Sequence, residues 1–199
     1  MRELDSLLRL VIPYAPSCPE PVALLHLMLA ARVFCEQTLC WREVDTIETA
    51  AEPEQLMCVP PHADLHRIER ALFDGKPLEA AAYTDVALAG LTGRPRYFTQ
   101  AHADSLTIVP AAAGSLTLSL ILKPALDADV LPDFMLTQHG QALAAGALST
   151  LMALPNQPFS NPSMAGFYAG QFQQAMNTNF SANRRGQQRA ATRTKARWI

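Results

Sequence analysis

The fold of this chain is decided by residues Phe134–Asn183, which read FMLTQHGQALAAGALSTLMALPNQPFSNPSMAGFYAGQFQQAMNTNFSAN. No Asp, Glu, Lys or Arg occurs in this stretch. A proline-bounded break at Pro155–Pro162 divides it and predicts two helices, over residues 131–154 and 162–183. Asn161 is a residue type that is favoured at the N-cap, and it directly precedes the second helix. Pro162 is well tolerated at the first helical position that follows. The stretch therefore predicts a helical hairpin, whose second helix repeats large apolar side chains at near-i+4 spacing: Met164, Tyr168, Phe172, Met176 and Phe180.

Small residues cluster in the first helix of this hairpin, namely Gly140, Ala144, Gly146 and Ala147. Each glycine weakens a helix interior by about 1 kcal/mol relative to alanine, so close packing must compensate. The second helix carries more Gln and Asn side chains than one domain can bury without many hydrogen-bond partners. Identical copies can approach an uncharged face without like-charge repulsion, and we therefore predict that these four small residues pack between subunits.

Charge is strongly segregated along the chain. Residues 1–133 hold all 18 acidic residues and 10 of the 16 basic ones. Among the sixteen residues that follow Asn183, six are basic and none is acidic. The formal net charge of −2 therefore hides a polarised molecule. We call residues 184–199 the basic arm, and its predicted docking residues are Arg184, Arg185, Arg189, Arg193, Lys195, Arg197, Trp198 and Ile199.

Three interpretations of the basic arm are open. Its guanidinium groups could pair with carboxylates of a partner protein, with Trp198 and Ile199 as apolar anchors. It could instead neutralise phosphates and make the chain a nucleic-acid-binding accessory protein, whose binding would depend on salt. It could also be a solvated tail. The acidic remainder of the chain would be repelled by a nucleic-acid duplex, which favours the first interpretation.

The N-terminal region predicts helices over residues 3–10 and 21–41. The second of these carries two adjacent apolar stripes at helical spacing. One consists of Val22, Leu25, Leu29 and Val33, and the other of Leu24, Met28, Ala31, Cys35 and Leu39. A helix that is apolar over so much of its circumference is expected to be buried on several sides or to lie at a subunit contact.

The sequence pattern of residues 42–123 predicts a β-rich insertion. Asp74-Gly75 and Ala113-Gly114 predict hairpin turns. Leucines at 116, 118, 120 and 122 alternate with Thr117 and Ser119, which is the period of a half-buried strand. We therefore expect a small antiparallel sheet, with strands at Glu43–Thr49, Leu56–Val59, His66–Phe73, Pro95–Gln100, Leu106–Pro110 and Leu116–Leu122.

Length and composition fit one α+β domain over residues 1–183, followed by the basic arm. The chain has 199 residues, of which 49% are hydrophobic, enough to bury a sizeable core. The N-terminus lacks the pattern of a signal peptide, and the longest apolar stretch, Val22–Leu39, contains too many polar groups to span a bilayer. We expect a cytosolic origin and no membrane partner. The spacings of the four cysteines fit neither a zinc site nor a redox motif, so reduced, buried thiols are expected.

Motifs for catalysis are weak. His62, Asp64 and His66 alternate and, in an extended segment, could present two imidazoles and a carboxylate to a metal ion. They follow Pro60-Pro61, where an exposed turn is more natural, and a fourth ligand is missing. A metal-dependent hydrolase is therefore a minor alternative. The sequence also lacks a nucleophile elbow and a phosphate-binding glycine loop. We predict no catalytic residues, no metal and no cofactor.

Short motifs extend over most of the chain, from about Leu4 to Phe180. They are Ile12-Pro-Tyr-Ala-Pro, Cys18-Pro-Glu-Pro, Phe34-Cys-x-x-Thr-x-x-Trp41-Arg-Glu, Phe73-Asp-Gly-x-Pro-Leu78, Leu122-x-Pro124, Leu131-Pro-Asp-Phe134, Gly146-Ala-Leu148 and Pro158-x-x-Asn161-Pro. In this order they make the chain resemble the head-to-tail connector adaptor proteins of tailed bacteriophages.

The resemblance implies a non-enzymatic structural protein of the virion. Such adaptors assemble in the host cytoplasm as a ring, here expected to be a dodecamer, beneath the portal in the neck between capsid and tail. The implied partners are the portal protein ring, a tail or nozzle protein and copies of the chain itself, while DNA passes through the lumen without specific binding. The implied fold is a helical bundle, made of the N-terminal helix and the C-terminal hairpin, that carries the β-insertion. Its basic arm is expected to reach the portal.

Overall fold

The computed structural model describes residues 1–85 and 90–185, and the chain mixes helices with largely antiparallel sheets, as the predicted α+β class requires. Contacts divide it into two units. The helical unit comprises Met1–Cys40 with the described residues from Ala128 onward, and the β unit comprises Trp41–Asp127. In chain order the elements are β1 (Arg2–Glu3), a 3₁₀ helix (Leu4–Leu10), α1 (Glu20–Thr38), β2 (Arg42–Thr49), β3 (Leu56–Met57), β4 (Ala63–Phe73), β5 (Lys76–Pro77), β6 (Glu79–Ala80), β7 (Tyr97–Thr99), β8 (Ser105–Val109), β9 (Gly114–Pro124), β10 (Val130–Leu131), α2 (Asp133–Leu151) and α3 (Pro162–Arg185).

The ends of the helices follow from local chemistry. Helix α1 ends three residues before the predicted boundary, because Leu39 adopts a left-handed conformation with φ 56° and its N–H bonds to the Cys35 carbonyl. Helix α2 begins after Leu131, which instead pairs with Arg2 in the ribbon β1–β10. Helix α3 begins as predicted, since the Asn161 side chain accepts a hydrogen bond from the Met164 N–H at 3.2 Å.

The N-terminal helix is a 3₁₀ helix rather than an α-helix. Leu4 and Leu7 are buried and Leu10 is half-buried. Because residues three apart lie above one another in a 3₁₀ helix, this winding directs all three leucines to one side.

The core of the helical unit lies between α1, α2 and α3. The Phe34 ring on α1 is fully buried and lies 4.9 Å from the His139 ring on α2 and 6.1 Å from the Phe172 ring on α3, measured between centroids. Of the two predicted stripes of α1, the one containing Met28, Ala31 and Cys35 faces this core.

The β unit contains two sheets, so the expectation of a single, wholly antiparallel sheet is wrong. The first has the order β2-β9-β4-β5, and all its neighbours are antiparallel. The second has the order β3-β8-β7-β6, in which β6 and β7 are parallel. The two-residue strand β6 is too short to show alternation, so its pairing leaves no periodic signal in the sequence.

Strand β9 forms the centre of the first sheet. The leucines at 116, 118, 120 and 122 are buried, while Thr117 and Ser119 are half-buried, which confirms the predicted alternation. Asp74-Gly75 forms the predicted turn, with positive φ at both residues, between β4 and β5. The predicted hairpin at Ala113-Gly114 is wrong, because β9 pairs with β2 and β4 rather than with β8.

Candidate subunit interface

The small residues of α2 have their packing partners within the same chain. A Cβ atom at Gly146 would lie 2.9 Å from both the Ala30 Cβ on α1 and the Phe172 ring on α3. A Cβ at Gly140 would lie 3.1 Å from the Leu7 side chain of the 3₁₀ helix. Ala144 and Ala147 are also buried. We therefore correct the predicted role: Gly140, Ala144, Gly146 and Ala147 allow helices to pack inside one subunit, and a contact between subunits requires other residues.

The outer face of α3 is exposed and uncharged. Gly166 and Gly170 lie on this face, and a Cβ atom at either would have no neighbouring atom within 4 Å. The face also carries Ala169, Gln173 and Asn177, all of them exposed. Solvent-facing sides of helices usually carry charged residues, so this face has the composition of a contact surface.

A groove runs between α2 and α3. Its larger part has a cavity volume of about 490 Å³, with Ala142 and Ala175 among its small residues and Gln138 and Gln174 among its amides. A second depression of about 310 Å³ continues it toward Tyr14 and shares Gln141, Ala145 and Gln171 with the first. We call these two depressions together the α2–α3 groove. None of the residues that line the groove is Asp, Glu, Lys or Arg.

Aromatic residues border one end of the groove. Phe167 is 55% exposed and Tyr14 is 59% exposed, and the Tyr168 ring lies 6.1 Å from the Tyr14 ring. The sequence reasoning did not select Phe167 or Tyr14. A signal for Phe167 was present, because it lies one position before Tyr168 in the predicted apolar series and must therefore point to a different side of the helix.

An exposed apolar row lies on α1. Leu25, Leu29 and Val33 are 52%, 41% and 42% exposed, and they recur at i+4 spacing on a side of α1 other than the one that carries Ala30 and Phe34. We call these three residues the α1 ridge. They belong to the first stripe predicted from the sequence, for which a subunit contact was one of the two expectations.

Two histidines of the helical unit have perturbed protonation. His139 is half-buried against the Phe34 and Phe134 rings, and this burial lowers its pKa below the ordinary value of 6.5. Burial also lowers the pKa of His26, whose Nδ1 lies 2.7 Å from the Thr150 Oγ1. Both imidazoles are therefore held in the neutral form at neutral pH.

The structure gives no support to the metal hypothesis based on His62, Asp64 and His66. His62 sits in a turn with φ 65°, and β4 begins at the next residue. A register shift after Leu65 then breaks the regular alternation of β4. Within residues 1–85 and 90–185, no group of three or more His, Cys, Asp or Glu side chains could hold a metal ion.

The four cysteines are free thiols, as predicted. Cys35 Sγ lies 3.7 Å from Cys40 Sγ and 3.7 Å from the Met135 sulfur. The hydrogen bond with Cys40, together with burial, raises the pKa of Cys35 well above its usual range. Burial raises the pKa of Cys58 to about 11. Cys35 and Cys58 are therefore protonated at neutral pH and behave as small apolar side chains.

Most of the predicted docking arm lies outside the described residues. Arg184 and Arg185 belong to the last turn of α3. Arg189, Arg193, Lys195, Arg197, Trp198 and Ile199 lie beyond residue 185, where the description of the chain ends.

In the described part of the chain, no helix combines the length and the apolar character needed to cross a bilayer. A comparison with protein families finds no family that matches this chain. A search of curated proteins likewise finds no match.

Proposed function

We propose that this chain is a structural, non-enzymatic subunit of a ring in the neck of a tailed bacteriophage, where it joins the portal to the tail. The proposal combines the motif resemblance with one observation of the structure. An exposed surface of the helical unit, formed by residues 162–180 of α3 and the α2–α3 groove, carries no Asp, Glu, Lys or Arg side chain. Identical subunits with a net acidic body can approach one another most readily through such a surface.

The distribution of charge suits a channel through which DNA passes. The exposed strand β2 carries Glu43, Asp45 and Glu48, and the first 133 residues have an excess of eight negative charges. An acidic body repels the phosphate backbone and would not retain passing DNA. The finer architecture, a helical bundle with an inserted β-rich element and an extended arm, belongs to this proposal.

The basic arm is proposed to dock on the portal ring. Its arginines are suited to bidentate pairing with carboxylates, and its Trp198-Ile199 end supplies the apolar anchor that such an ionic contact needs for specificity. The tail side is proposed to contact a tail or nozzle protein. The alternative assignment, a nucleic-acid-binding accessory protein, uses the same basic arm.

A truncation after Asn183 tests this assignment. We expect the shortened chain to keep the melting midpoint of the full chain and to lose attachment to purified portal rings in co-sedimentation. A matched full-length variant, in which the six bases of the arm are replaced by Gln, should lose attachment in the same way. Retained portal attachment by both variants would contradict arm docking. Tight, salt-sensitive binding of the full chain to duplex DNA, without portal binding, would favour the nucleic-acid alternative.

A further inference from the structure

We propose that the α1 ridge of one copy docks into the α2–α3 groove of the next copy. This inference rests on the proposed function, in which the chain surrounds a channel as repeated copies, and it names the two surfaces that meet. The contact is heterologous, because the ridge and the groove are different parts of the subunit.

The ridge has the form of a docking element. Leu25, Leu29 and Val33 form a continuous apolar row on the surface of an ordered helix. An apolar row of this kind is a typical site of protein association. The exposed Pro21 extends it by one turn toward the start of α1. Rows at i+4 spacing are the ridges that enter grooves between side chains of another helix.

The groove matches the ridge in length and character. From Phe167 to Asn179, α3 borders it over about 18 Å, and the row from Pro21 to Val33 has the same length at a rise of about 1.5 Å per residue. The alanine methyl groups of the groove leave room for leucine side chains. Its amide groups can remain at the edge of the contact, where water still reaches them.

A second copy is the occupant that the charges favour. Apart from Leu10 and Tyr14, the residues that line the groove belong to the uncharged stretch 134–183, and none of them is Asp, Glu, Lys or Arg, so the groove offers no ionic partner to a charged peptide. The three ridge residues are apolar, and the two charged residues on the same side of α1, Arg32 and Glu36, are of opposite sign. Two copies that approached through their acidic surfaces would repel one another, whereas ridge and groove can meet without that penalty.

Substitutions that place one charge on each surface test the pairing. Leu29→Glu puts an acid on the ridge, and Gln174→Lys puts a base in the groove. Each variant alone should associate with itself roughly tenfold more weakly than the unmodified chain in sedimentation equilibrium, a typical effect for a central contact residue. An equimolar mixture should regain association, because each altered ridge then meets an oppositely charged groove and each unaltered ridge meets an unaltered groove.

Matched controls place one charge just outside the two surfaces. Gln157→Lys alters an exposed amide in the loop between α2 and α3, and Leu126→Glu introduces an acid at an exposed leucine of the β unit. Both controls should associate like the unmodified chain. Melting midpoints of all variants should agree, since the changed side chains are exposed.

Three results would overturn the inference: a chain that stays monomeric at every concentration, single variants that associate normally, or a mixture that regains nothing. Disruption by Leu29→Glu with no effect of Gln174→Lys would indicate a symmetric ridge-to-ridge contact, which also overturns it. Attachment of the unmodified chain to portal rings is measured separately. Normal attachment would leave the proposed function standing when the ridge-to-groove pairing fails.

Discussion

An exposed strand of the β unit and an exposed helix of the helical unit differ in their charged residues. In the β unit, β2 exposes Arg42 beside Glu43, Asp45 and Glu48, and Arg42 pairs with Glu69 on β4 at 3.3 Å. In the helical unit, α3 exposes glycines, alanine and amides instead. Charged exposed strands are well solvated and protected against unwanted strand pairing. This difference agrees with the proposed function, in which the helical unit meets other copies and the β unit faces water.

The same contrast applies to glycine. Gly146 is enclosed by α1 and α3, whereas Gly166 and Gly170 lie in open space on α3. A glycine inside a packed contact between helices is explained by the lack of a side chain, which lets the neighbouring helices come close to its backbone. An exposed glycine in a helix costs stability without such a return inside the monomer, and under the proposed function a contact with another copy would supply it.

The largest expected effect separates these two kinds of glycine. Gly146→Leu should lower the free energy of unfolding by about 1–3 kcal/mol through overpacking against Ala30 and Phe172. The matched change Gly170→Leu should leave it unchanged or raise it by up to about 1 kcal/mol, because leucine is the better helix former. Denaturant midpoints provide the measurement. Equal midpoints for the two variants would show that the close packing around Gly146 does not affect the free energy of unfolding.

A smaller effect is expected in the β unit. At Gly114 a Cβ atom would collide with the buried Phe73 ring and lie 3.0 Å from the Asp74 carboxylate. Gly114→Ala should therefore destabilise the chain by about 1 kcal/mol, the lower end of the range for overpacking. Hydrogen exchange should show the loss of protection in β4 and β9 more than in α2. Equal loss in both units would indicate that the two unfold together and would weaken the comparison.

The smallest expected effect is a dependence on pH that belongs to the helical unit. The pKa of His139 is lowered by burial in the native state, so the unfolded chain binds its proton first as the pH falls. Stability is therefore unaffected above the ordinary value of about 6.5 and decreases as the pH falls from there toward the lowered native value. In His139→Gln this loss should be smaller, with a remainder from His26. Identical pH profiles of the melting midpoint for the variant and the unmodified chain would contradict this assignment.

The sequence predicted the local features of the fold well. Asn161 and Pro162 specify the start of α3 through groups that are adjacent in the chain. The alternation around Thr117 predicts a half-buried strand because the two faces of a strand are read from neighbouring residues. Asp74-Gly75 likewise specifies a turn through its own backbone preferences.

Features that depend on distant pairing could not be predicted in the same way. The failed hairpin at Gly114 is an example, because the partner of that residue is Thr49 on β2, far away in the sequence. The role of Gly146 also required knowledge of which helix lies beside it. A small residue indicates close approach, but it does not say whether the approaching chain is the same molecule or a copy.

The candidate interface was predicted only in part. The ridge around Leu29 was visible in the sequence as one of two stripes, yet periodicity alone could not say which stripe would be buried. The groove could not be found at all, because it is assembled from α2, α3 and the segment that contains Tyr14. Its lack of charge, however, was evident from the sequence between Phe134 and Asn183.

The most direct test of the central claim is electron microscopy of the full chain mixed with purified portal rings. The account predicts closed rings of this protein, coaxial with the portal, in which neighbouring copies touch through their helical units while the β units remain separately solvated. Portal rings that stay bare, or particles in which copies attach singly and never close into a ring, would contradict it.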